Sequence, residues 1–575
     1  MNTKRIIVSG IVVLLAVISI RFLGTEEQIA RVELASYGNL KCTVANYLLS
    51  GVDTTRQIAP LFENLGDHHF PISTNSSQAQ AFFDQGLRLA YGFNHAEAHR
   101  SFLEAARLDP GAAMAYWGQA YALGPNINDP FPDENRKLAG LKAIQKAKEL
   151  SAECSATEKE LIQALSQRFS RDLRQPVSEL NQEYFREMQA VVRKHGDNAD
   201  VHTLFASAAM DTNPWNYWNK NGQPNPNMAE AKNSLEKAIA INPEHPGAHH
   251  YYIHLMELPS PDEAVESADI LGGLMPAAGH MVHMPSHIYI RVGRYADAVA
   301  ANQKAIAADE DYISQCYAQG LYPLAYYPHN IHFLWSAASL IGASEIAIDA
   351  AKKTAEKVPA GQLAELPFLQ DFAATPLLAY TRFGKWNDVL TFPVPDTEIK
   401  HLSLIRHYAR GLAFIRKNNA REAAEELKAI EILMSDPELD SLVAVAHNSS
   451  GKIAELAFHL ISGELAALEG KDSEAIKHLK QAVALEDQLV YTEPSAWHIP
   501  TRQNLGALLL QQGKYKEAET IYKEDLARIR QNGWSLRGLE LALTGQNRKE
   551  EAAQTRQEFD KIWAEADLQI NSSVF

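Results

Sequence analysis

The stretch Phe82–Pro110 reads FFDQGLRLAYGFNHAEAHRSFLEAARLDP. It carries small residues at Gly86 and Ala98, an aromatic residue at Phe102 and a proline at its end. Small residues at such offsets let two helices approach closely, and proline ends a helix because it lacks a backbone N–H donor. The stretch therefore predicts a helix–turn–helix unit.

Similar offsets return further along the chain, at residues 231–243, 293–305, 342–347, 384–386, 470–482 and 506–522. This recurrence resembles the tetratricopeptide repeat (TPR), a unit of about 34 residues. The resemblance implies an all-α, TPR-like helical-hairpin solenoid, wound as a right-handed superhelix and interrupted by inserted helices and loops. The predicted solenoid covers residues 73–575, and residues 24–72 are predicted to be a linker and lead-in.

The chain also resembles a large, mostly uncharacterised bacterial family of exported TPR proteins. The shared segments are GFNHAEA at residues 92–98, HMVHMPSH at residues 280–287 and NGWSL at residues 532–536. This resemblance implies the fold and an export context, and it supplies no activity.

The first 23 residues predict a signal peptide or a membrane anchor. Lys4 and Arg5 precede the apolar stretch 6–20, which is the order of residues in an export signal. Cleavage and retention of this segment both stay open. Either outcome predicts an extracytoplasmic chain, periplasmic or at the cell surface, that is membrane-anchored or secreted.

The composition excludes several classes of function. The chain has 575 residues, is 46% hydrophobic and carries a net charge of −16, so it offers no basic stripe for nucleic acid. Its three cysteines lie far apart, which excludes a thiolate zinc module and a disulfide framework. The sequence also has no glycine-rich phosphate loop and no nucleophile elbow.

Histidines recur at helical spacing in the segment 246–340. Offsets of three, four and seven residues return to one face of a helix, so each group predicts a stripe of imidazoles. In the register that the TPR resemblance implies, three adjacent repeats direct these stripes into the concave groove. The candidate metal ligands are His250, His254, His280, His283, His287, His329 and His332.

Seven imidazoles exceed the three or four protein ligands of one zinc ion, so the pattern predicts either two transition-metal ions or one ion with some histidines contacting the substrate. Copper or zinc suits imidazole, and Met281 and Met284 beside the stripe would favour copper. Glu257 is the candidate base if the metal supports catalysis. An anionic or peptide ligand without metal, and purely structural histidines, remain as alternatives.

Further side chains are predicted to contribute to the ligand groove. These are Arg291, Asn94, His95, Glu493, Trp497, His498 and Arg502. Two aromatic-rich insertions, residues 211–227 and 312–328, either cap the groove or are ordinary linkers. Pro285 is expected to kink the helix that carries the central histidines.

Together these features predict an exported TPR-repeat protein whose histidine-lined groove binds a transition metal, with metal-dependent catalysis left open. The predicted partners are a small molecule or peptide in the groove and a membrane through the N-terminal segment, with no nucleic acid. The alternative is a protein- or peptide-binding TPR scaffold without metal.

Overall fold

A computed structural model describes residues 56–219, 221–316, 322–393, 399–445 and 447–575. These residues form α-helices joined by turns and short 3-10 segments, with no β-strand among them. The predicted all-α class is confirmed. The predicted signal or anchor, residues 1–23, lies outside the described residues, and none of the described helices is long and apolar enough to span a membrane.

The chain divides into two compact units. The N-terminal unit comprises Val12–Ile288, described from residue 56, and Lys304–Tyr327. Its helices are α1 (Ser77–Tyr91), α2 (His95–Leu108), α3 (Ala113–Leu123), α4 (Glu134–Leu150), α5 (Ala156–Ser166), α6 (Val177–Lys194), α7 (Ala199–Met210), α8 (Met228–Ile241), α9 (Pro246–Met256), α10 (Val265–Leu274) and α11 (Gly279–His283).

Helices α12 (Pro285–Val292) and α13 (Tyr295–Cys316) include residues of both units. The described part of the C-terminal unit comprises Tyr289–Gln303 and Pro328–Phe575. Its remaining helices are α14 (Tyr327–Leu340), α15 (Ser344–Glu356), α16 (Phe368–Arg382), α17 (Trp386–Thr391), α18 (Lys400–Arg416), α19 (Ala420–Met434), α20 (Glu438–Ser441), α21 (Ser450–Leu468), α22 (Asp472–Glu486), α23 (Thr501–Gln511), α24 (Tyr515–Arg528), α25 (Gly533–Gly545) and α26 (Lys549–Ile562).

Successive helices pack as hairpins, such as α1 with α2, α21 with α22 and α25 with α26. In the first hairpins an aromatic ring fills the space that two glycines leave. A Cβ atom at Gly86 or at Gly118 would overlap the ring of Phe102, so neither position has room for a side chain. Phe102 lies sixteen residues from each glycine (102 − 86 and 118 − 102).

The same arrangement recurs in the C-terminal unit at identical spacing. Tyr522 lies sixteen residues from both Gly506 and Gly538 (522 − 506 and 538 − 522), and a Cβ at either glycine would overlap its ring. Helices α23, α24 and α25 therefore meet through one aromatic side chain, as α1, α2 and α3 do. This repeated close packing accounts for the TPR-like helical-hairpin fold that the sequence predicts.

Several turns between paired helices have a residue in the left-handed backbone region. Gly470 and Gly513 adopt φ values of 73° and 68°, which glycine tolerates because it has no Cβ. The equivalent turn between α1 and α2 has Phe93 at φ 58°. A bulky residue rarely occupies this region, and strain of this kind concentrates at functional sites.

Candidate metal centre

Helix α9 brings two of the predicted ligands onto one buried face. The helix begins with Pro246 in its first turn, and the Nδ1 atom of His245 accepts a hydrogen bond from the backbone N–H of Ala248 at 3.1 Å. His250 and His254 follow at a spacing of one helical turn, and both are buried. The predicted stripe on this helix is confirmed.

The central histidines lie on two short helices rather than one. His280 and His283 belong to α11, and His287 belongs to α12, which begins at Pro285. The chain stays compact across the break because the N–H of His287 donates to the carbonyl of Met284 at 3.1 Å. The helix expected to carry all three histidines is interrupted before the proline, and all three imidazoles are buried.

Three imidazoles form a compact cluster in the N-terminal unit. One ring nitrogen from each of His250, His254 and His280 lies within 4.8 Å of the other two. The Nε2 atoms of His250 and His280 are 3.1 Å apart. Nitrogen ligands around a tetrahedral zinc ion with ordinary bond lengths are separated by about 3.3 Å. The cluster therefore has the dimensions of a metal site.

Hydrogen bonds fix which nitrogen of His250 carries its proton. Its Nδ1 atom lies 2.6 Å from the carbonyl oxygen of Tyr91, which can only accept, so Nδ1 is the donor. The lone pair is then on Nε2, which faces His280. A backbone carbonyl bonded to the far nitrogen is the usual way in which proteins orient a metal-binding imidazole.

Burial keeps these imidazoles neutral. It lowers the pKa of His250, His254 and His280 well below the ordinary value, and the neighbouring imidazoles add to the effect. Both ring nitrogens of His254 and the Nδ1 of His280 are buried without a hydrogen-bond partner among the described residues. Neutral rings with uncommitted nitrogens are the form that ligates metals.

A second pair of imidazoles lies beside the first cluster. The Nε2 atoms of His283 and His287 are 2.9 Å apart. The hydroxyl of Ser286 donates to the backbone carbonyl of His283 at 2.7 Å, so its oxygen accepts from the Nδ1 of His283 at 3.3 Å. The lone pair of His283 is thus on Nε2, directed at His287.

The carboxylate of Glu257 contacts His287 of this pair and His254 of the first cluster. One carboxylate oxygen lies 3.0 Å from the Nδ1 of His287 and 3.6 Å from the Nδ1 of His254. The 3.0 Å contact is within ion-pair distance, but the two atoms do not meet in hydrogen-bond geometry, so it does not assign the proton of His287. The predicted base therefore lies beside two of the imidazoles, and its role in proton transfer stays a prediction.

Aromatic side chains enclose the cluster. The ring of Phe93 lies 4.4 Å from His250, 5.7 Å from His254 and 5.4 Å from His280, measured between centroids. From the predicted insertions, Trp215 meets the edge of His254 at 5.1 Å and Tyr326 meets His280 at 5.0 Å. These rings exclude water, which strengthens electrostatic interactions inside the cluster.

Asn128 connects the two insertions. Its side-chain oxygen accepts from the indole N–H of Trp215 at 3.1 Å, and its amide nitrogen donates to the hydroxyl of Tyr326 at 2.9 Å. The insertion 211–227 is irregular, as expected for a loop. The insertion 312–328 is not simply a loop, because its start belongs to α13 and residues 322–326 form a π-helical turn.

A second cluster of close ligand atoms in this unit, His68, Asp200 and His245, is unsuited to metal. The Nδ1 of His245 accepts from Ala248, so its proton is on Nε2, 3.2 Å from an oxygen of Asp200. That oxygen also accepts from the Tyr91 hydroxyl at 2.9 Å. The network supports Tyr91, whose carbonyl in turn orients His250.

Two predicted groove residues of the N-terminal unit lie outside the cluster. Asn94 caps helix α2 through its side-chain oxygen, 3.3 Å from the backbone N–H of Glu97. His95 is buried, and both its nitrogens have no hydrogen-bond partner among the described residues. Burial, reinforced by Arg136 and Arg168, lowers its pKa to about 3.

The other predicted groove residues belong to the C-terminal unit. Arg291 lies 3.9 Å from Glu493 and 5.3 Å from the ring of Tyr491. Arg502 makes two contacts of 2.8 Å with the carboxylate of Asp487, which gives it a structural role.

The remaining predicted ligands also lie in the C-terminal unit. His329 meets the edge of Phe333 at 5.6 Å, and His332 stacks on Trp335 at 4.9 Å. Their participation in the site of the N-terminal unit stays a prediction. Trp497 and His498 line a cavity together with His332.

Sequence reasoning missed Tyr91, Phe93 and Asn128 as parts of the site. Tyr91 contributes a carbonyl, which every residue possesses, and Asn128 reads as an ordinary turn residue. Phe93 gave a usable signal, because it occupies the turn position where later repeats have glycine.

No protein-family model and no curated protein matches the chain. Among solved structures, the human IFIT1 dimer with m7Gppp-AAAA is 13% identical over 86% of this chain and 92% of that chain, with a TM-score of 0.31. The APC/C hetero-tetramer Cut9-Hcn1 is 11% identical over 84% and 94%, with a TM-score of 0.28. Yeast Tom70 is 12% identical over 84% and 98%, also with a TM-score of 0.28. These values are too low to bear on function.

Proposed function

We propose that this chain binds a transition-metal ion through His250, His254 and His280. The observation that carries the proposal is the convergence of three buried imidazoles whose ligand atoms lie within 4.8 Å of one another. The Tyr91 carbonyl supports it, because it holds the proton of His250 on the far nitrogen. Burying these rings without a cation would leave polar nitrogens unsatisfied.

His283 and His287 extend the proposed site. With the proton of His283 on Nδ1, its Nε2 lone pair points at the Nε2 of His287, 2.9 Å away. A cation between the two nitrogens, or a proton on one of them, would stabilise such a contact. We infer that this pair holds a second ion, with the Glu257 carboxylate 3.0 Å from the far nitrogen of His287.

The donor set indicates which metals fit. The proposed ligands are imidazoles without thiolate, a set that suits copper and zinc among the first-row metals. Three protein ligands leave a coordination position for a substrate, as in catalytic zinc sites. Metal-dependent catalysis is therefore part of the proposal, with a small molecule or peptide as the substrate class.

Export of the chain also remains a proposal. It rests on the N-terminal charge and hydropathy pattern and on the resemblance to exported bacterial TPR proteins. Under this proposal the metal site lies in the periplasm or at the cell surface, with a membrane anchor or a cleaved signal at residues 1–23.

The test is the metal content of protein purified without a histidine tag, measured by plasma mass spectrometry after reconstitution with zinc or copper. We expect at least one equivalent in the wild type and loss of that equivalent in the double variant His254→Gln, His280→Gln. The control is His202→Gln, whose ring is buried but already contacts Ser234 at 2.7 Å and the carbonyl of Gly196 at 3.0 Å.

Full metal content in the double variant would refute this assignment of ligands. No metal in the reconstituted wild type would refute metal binding altogether. That second result would favour the alternative, a protein- or peptide-binding scaffold, and binding assays with peptide libraries would then follow.

A further inference from the structure

A small cavity in the C-terminal unit brings together side chains that lie far apart in the sequence. His332 comes from α14, Asp371 from α16 and His401 from α18, and Trp497 and His498 come from the segment before α23. The apolar residues that complete the lining include Leu378, Ile405 and Ile453. The sequence predicted His332 as a metal ligand and His498 as a residue of the ligand groove, and it did not predict His401 or Asp371.

Several residues that line this cavity have buried nitrogens. The Nε2 atoms of His332 and His401, both nitrogens of His498 and the indole nitrogen of Trp497 have no hydrogen-bond partner among the described residues. His332, His401 and Trp497 are more than nine-tenths buried. Native proteins rarely leave such atoms unsatisfied, so a concentration of them indicates a ligand, an ion or ordered water.

The polar groups around the cavity suit a cation. The Nε2 of His401 lies 3.6 Å from a carboxylate oxygen of Asp371, and the other ring nitrogen of His401 contacts the hydroxyl of Ser450 at 2.9 Å. Burial lowers the pKa of His332 and His498, so both rings present lone pairs rather than positive charge. Three imidazoles and one carboxylate are a transition-metal donor set.

We propose that His332, His401, His498 and Asp371 bind a divalent transition-metal ion in the C-terminal unit. This site is separate from the one proposed in the N-terminal unit and shares none of its ligands. These donors are more widely spaced than those of the first cluster, and the short distance among them is the 3.6 Å between His401 and Asp371. The indole N–H of Trp497 cannot ligate an ion and remains available to an acceptor.

The experiment is a cobalt(II) titration of the full, metal-free chain without a histidine tag, followed by visible absorption and by bound cobalt per chain. The double variant His401→Gln, His498→Gln should bind one equivalent fewer than the wild type. The double variant His254→Gln, His280→Gln should keep the equivalent that the first variant loses. The two double variants therefore test the two proposed metal sites separately.

A matched control is His407→Gln. His407 is on the same helix as His401, but its Nδ1 is bonded to the carboxylate of Glu426 at 2.6 Å. This variant should bind cobalt as the wild type does. Equal cobalt stoichiometry in His401→Gln, His498→Gln and the wild type would overturn the proposal, as would a wild type that binds no cobalt.

If that double variant fails to fold, as judged by circular dichroism, the single variant Asp371→Asn replaces it. Asp371 is partly exposed, and asparagine keeps its size while removing the charge. Removing one carboxylate ligand should weaken cobalt binding at the second site at least about tenfold. An unchanged affinity in a folded Asp371→Asn protein would overturn the proposal.

Discussion

His249 and His250 are adjacent on helix α9 and carry their protons on opposite ring nitrogens. The Nε2 of His249 donates to the carbonyl of Pro243 at 2.7 Å, and its Nδ1 contacts the hydroxyl of Ser267 at 3.0 Å. His250 instead donates from Nδ1 to the carbonyl of Tyr91. Both ring nitrogens of His249 have hydrogen-bond partners, whereas His250 directs the lone pair of its Nε2 into the cluster.

This difference predicts opposite consequences for two neighbouring substitutions. His250→Gln should reduce bound zinc by about one equivalent, because it removes a ligand whose tautomer is fixed. His249→Gln should keep the zinc and lower the free energy of unfolding by about 1–3 kcal/mol, because it disturbs buried hydrogen bonds. Zinc per chain and urea denaturation of both variants give the comparison. Similar zinc content in the two variants would contradict the assigned tautomers.

The contact between the ring of Tyr522 in α24 and Gly538 in α25 predicts that alanine at position 538 destabilises the fold, although alanine normally favours a helix. Gly538→Ala places a Cβ within the ring of Tyr522, so we expect a loss of about 1–3 kcal/mol in the free energy of unfolding. Gly273→Ala is the control, since Gly273 is in helix α10 with nothing near its Cβ position. There alanine should be neutral or stabilising. Chemical denaturation of both variants tests the contact, which would be disproved by equal effects.

The turn between α23 and α24 predicts a cost that arises from backbone conformation alone. Gly513 has φ 68°, and a Cβ atom at this position would have no neighbouring group within 4 Å. Gly513→Ala should therefore destabilise the fold by about 1 kcal/mol through left-handed strain. Gly361 also has open space but not a positive φ, so Gly361→Ala should cost nothing or stabilise slightly. The difference in denaturation midpoint between the two alanine variants measures the strain.

Glu486 predicts a pH dependence of stability. Burial raises the pKa of its carboxyl to about 7, although Thr501 donates to it from its backbone N–H at 2.8 Å and from its hydroxyl. The folded chain then binds a proton that the unfolded chain releases near pH 4.3. Stability from this group is full below about pH 4 and declines as pH rises toward about 7.

Between about pH 4 and pH 7, Glu486 changes the free energy of unfolding by at most about 1.4 kcal/mol per pH unit. The variant Glu486→Gln should lose this slope, because glutamine stays neutral. Denaturation of the wild type and the variant at pH 5, 6 and 7 gives the difference directly. Parallel pH profiles for the two proteins would show that the carboxyl of Glu486 has an ordinary pKa.

The repeat architecture was predictable because it depends on local residue size. Gly86, Phe102 and their counterparts recur at fixed spacing, and the aromatic ring occupies the space where a side chain at either glycine would lie. The stripe of His250 and His254 was predictable for a similar reason, since helical periodicity alone places them on one face.

The tautomers and the enclosure of the site were not predictable from spacing. Tyr91 lies 159 residues from His250 in sequence, and it acts through a backbone carbonyl that carries no sequence signal. Asn128 contacts Trp215 and Tyr326 only because three separate segments meet. The sequence predicted an irregular helix at Pro285. It did not indicate that the imidazole of His287 would still contact the imidazole of His283 across the break.

Phe93 has a consequence for designed repeat proteins. A consensus drawn from the later hairpins of this chain would assign glycine to the turn position that Phe93 occupies, because Gly470 and Gly513 adopt the same left-handed conformation there. A chain built on that consensus would fold with a relaxed turn and without an aromatic wall over the imidazoles. A consensus sequence would therefore replace Phe93, the turn residue whose side chain packs against the imidazole cluster.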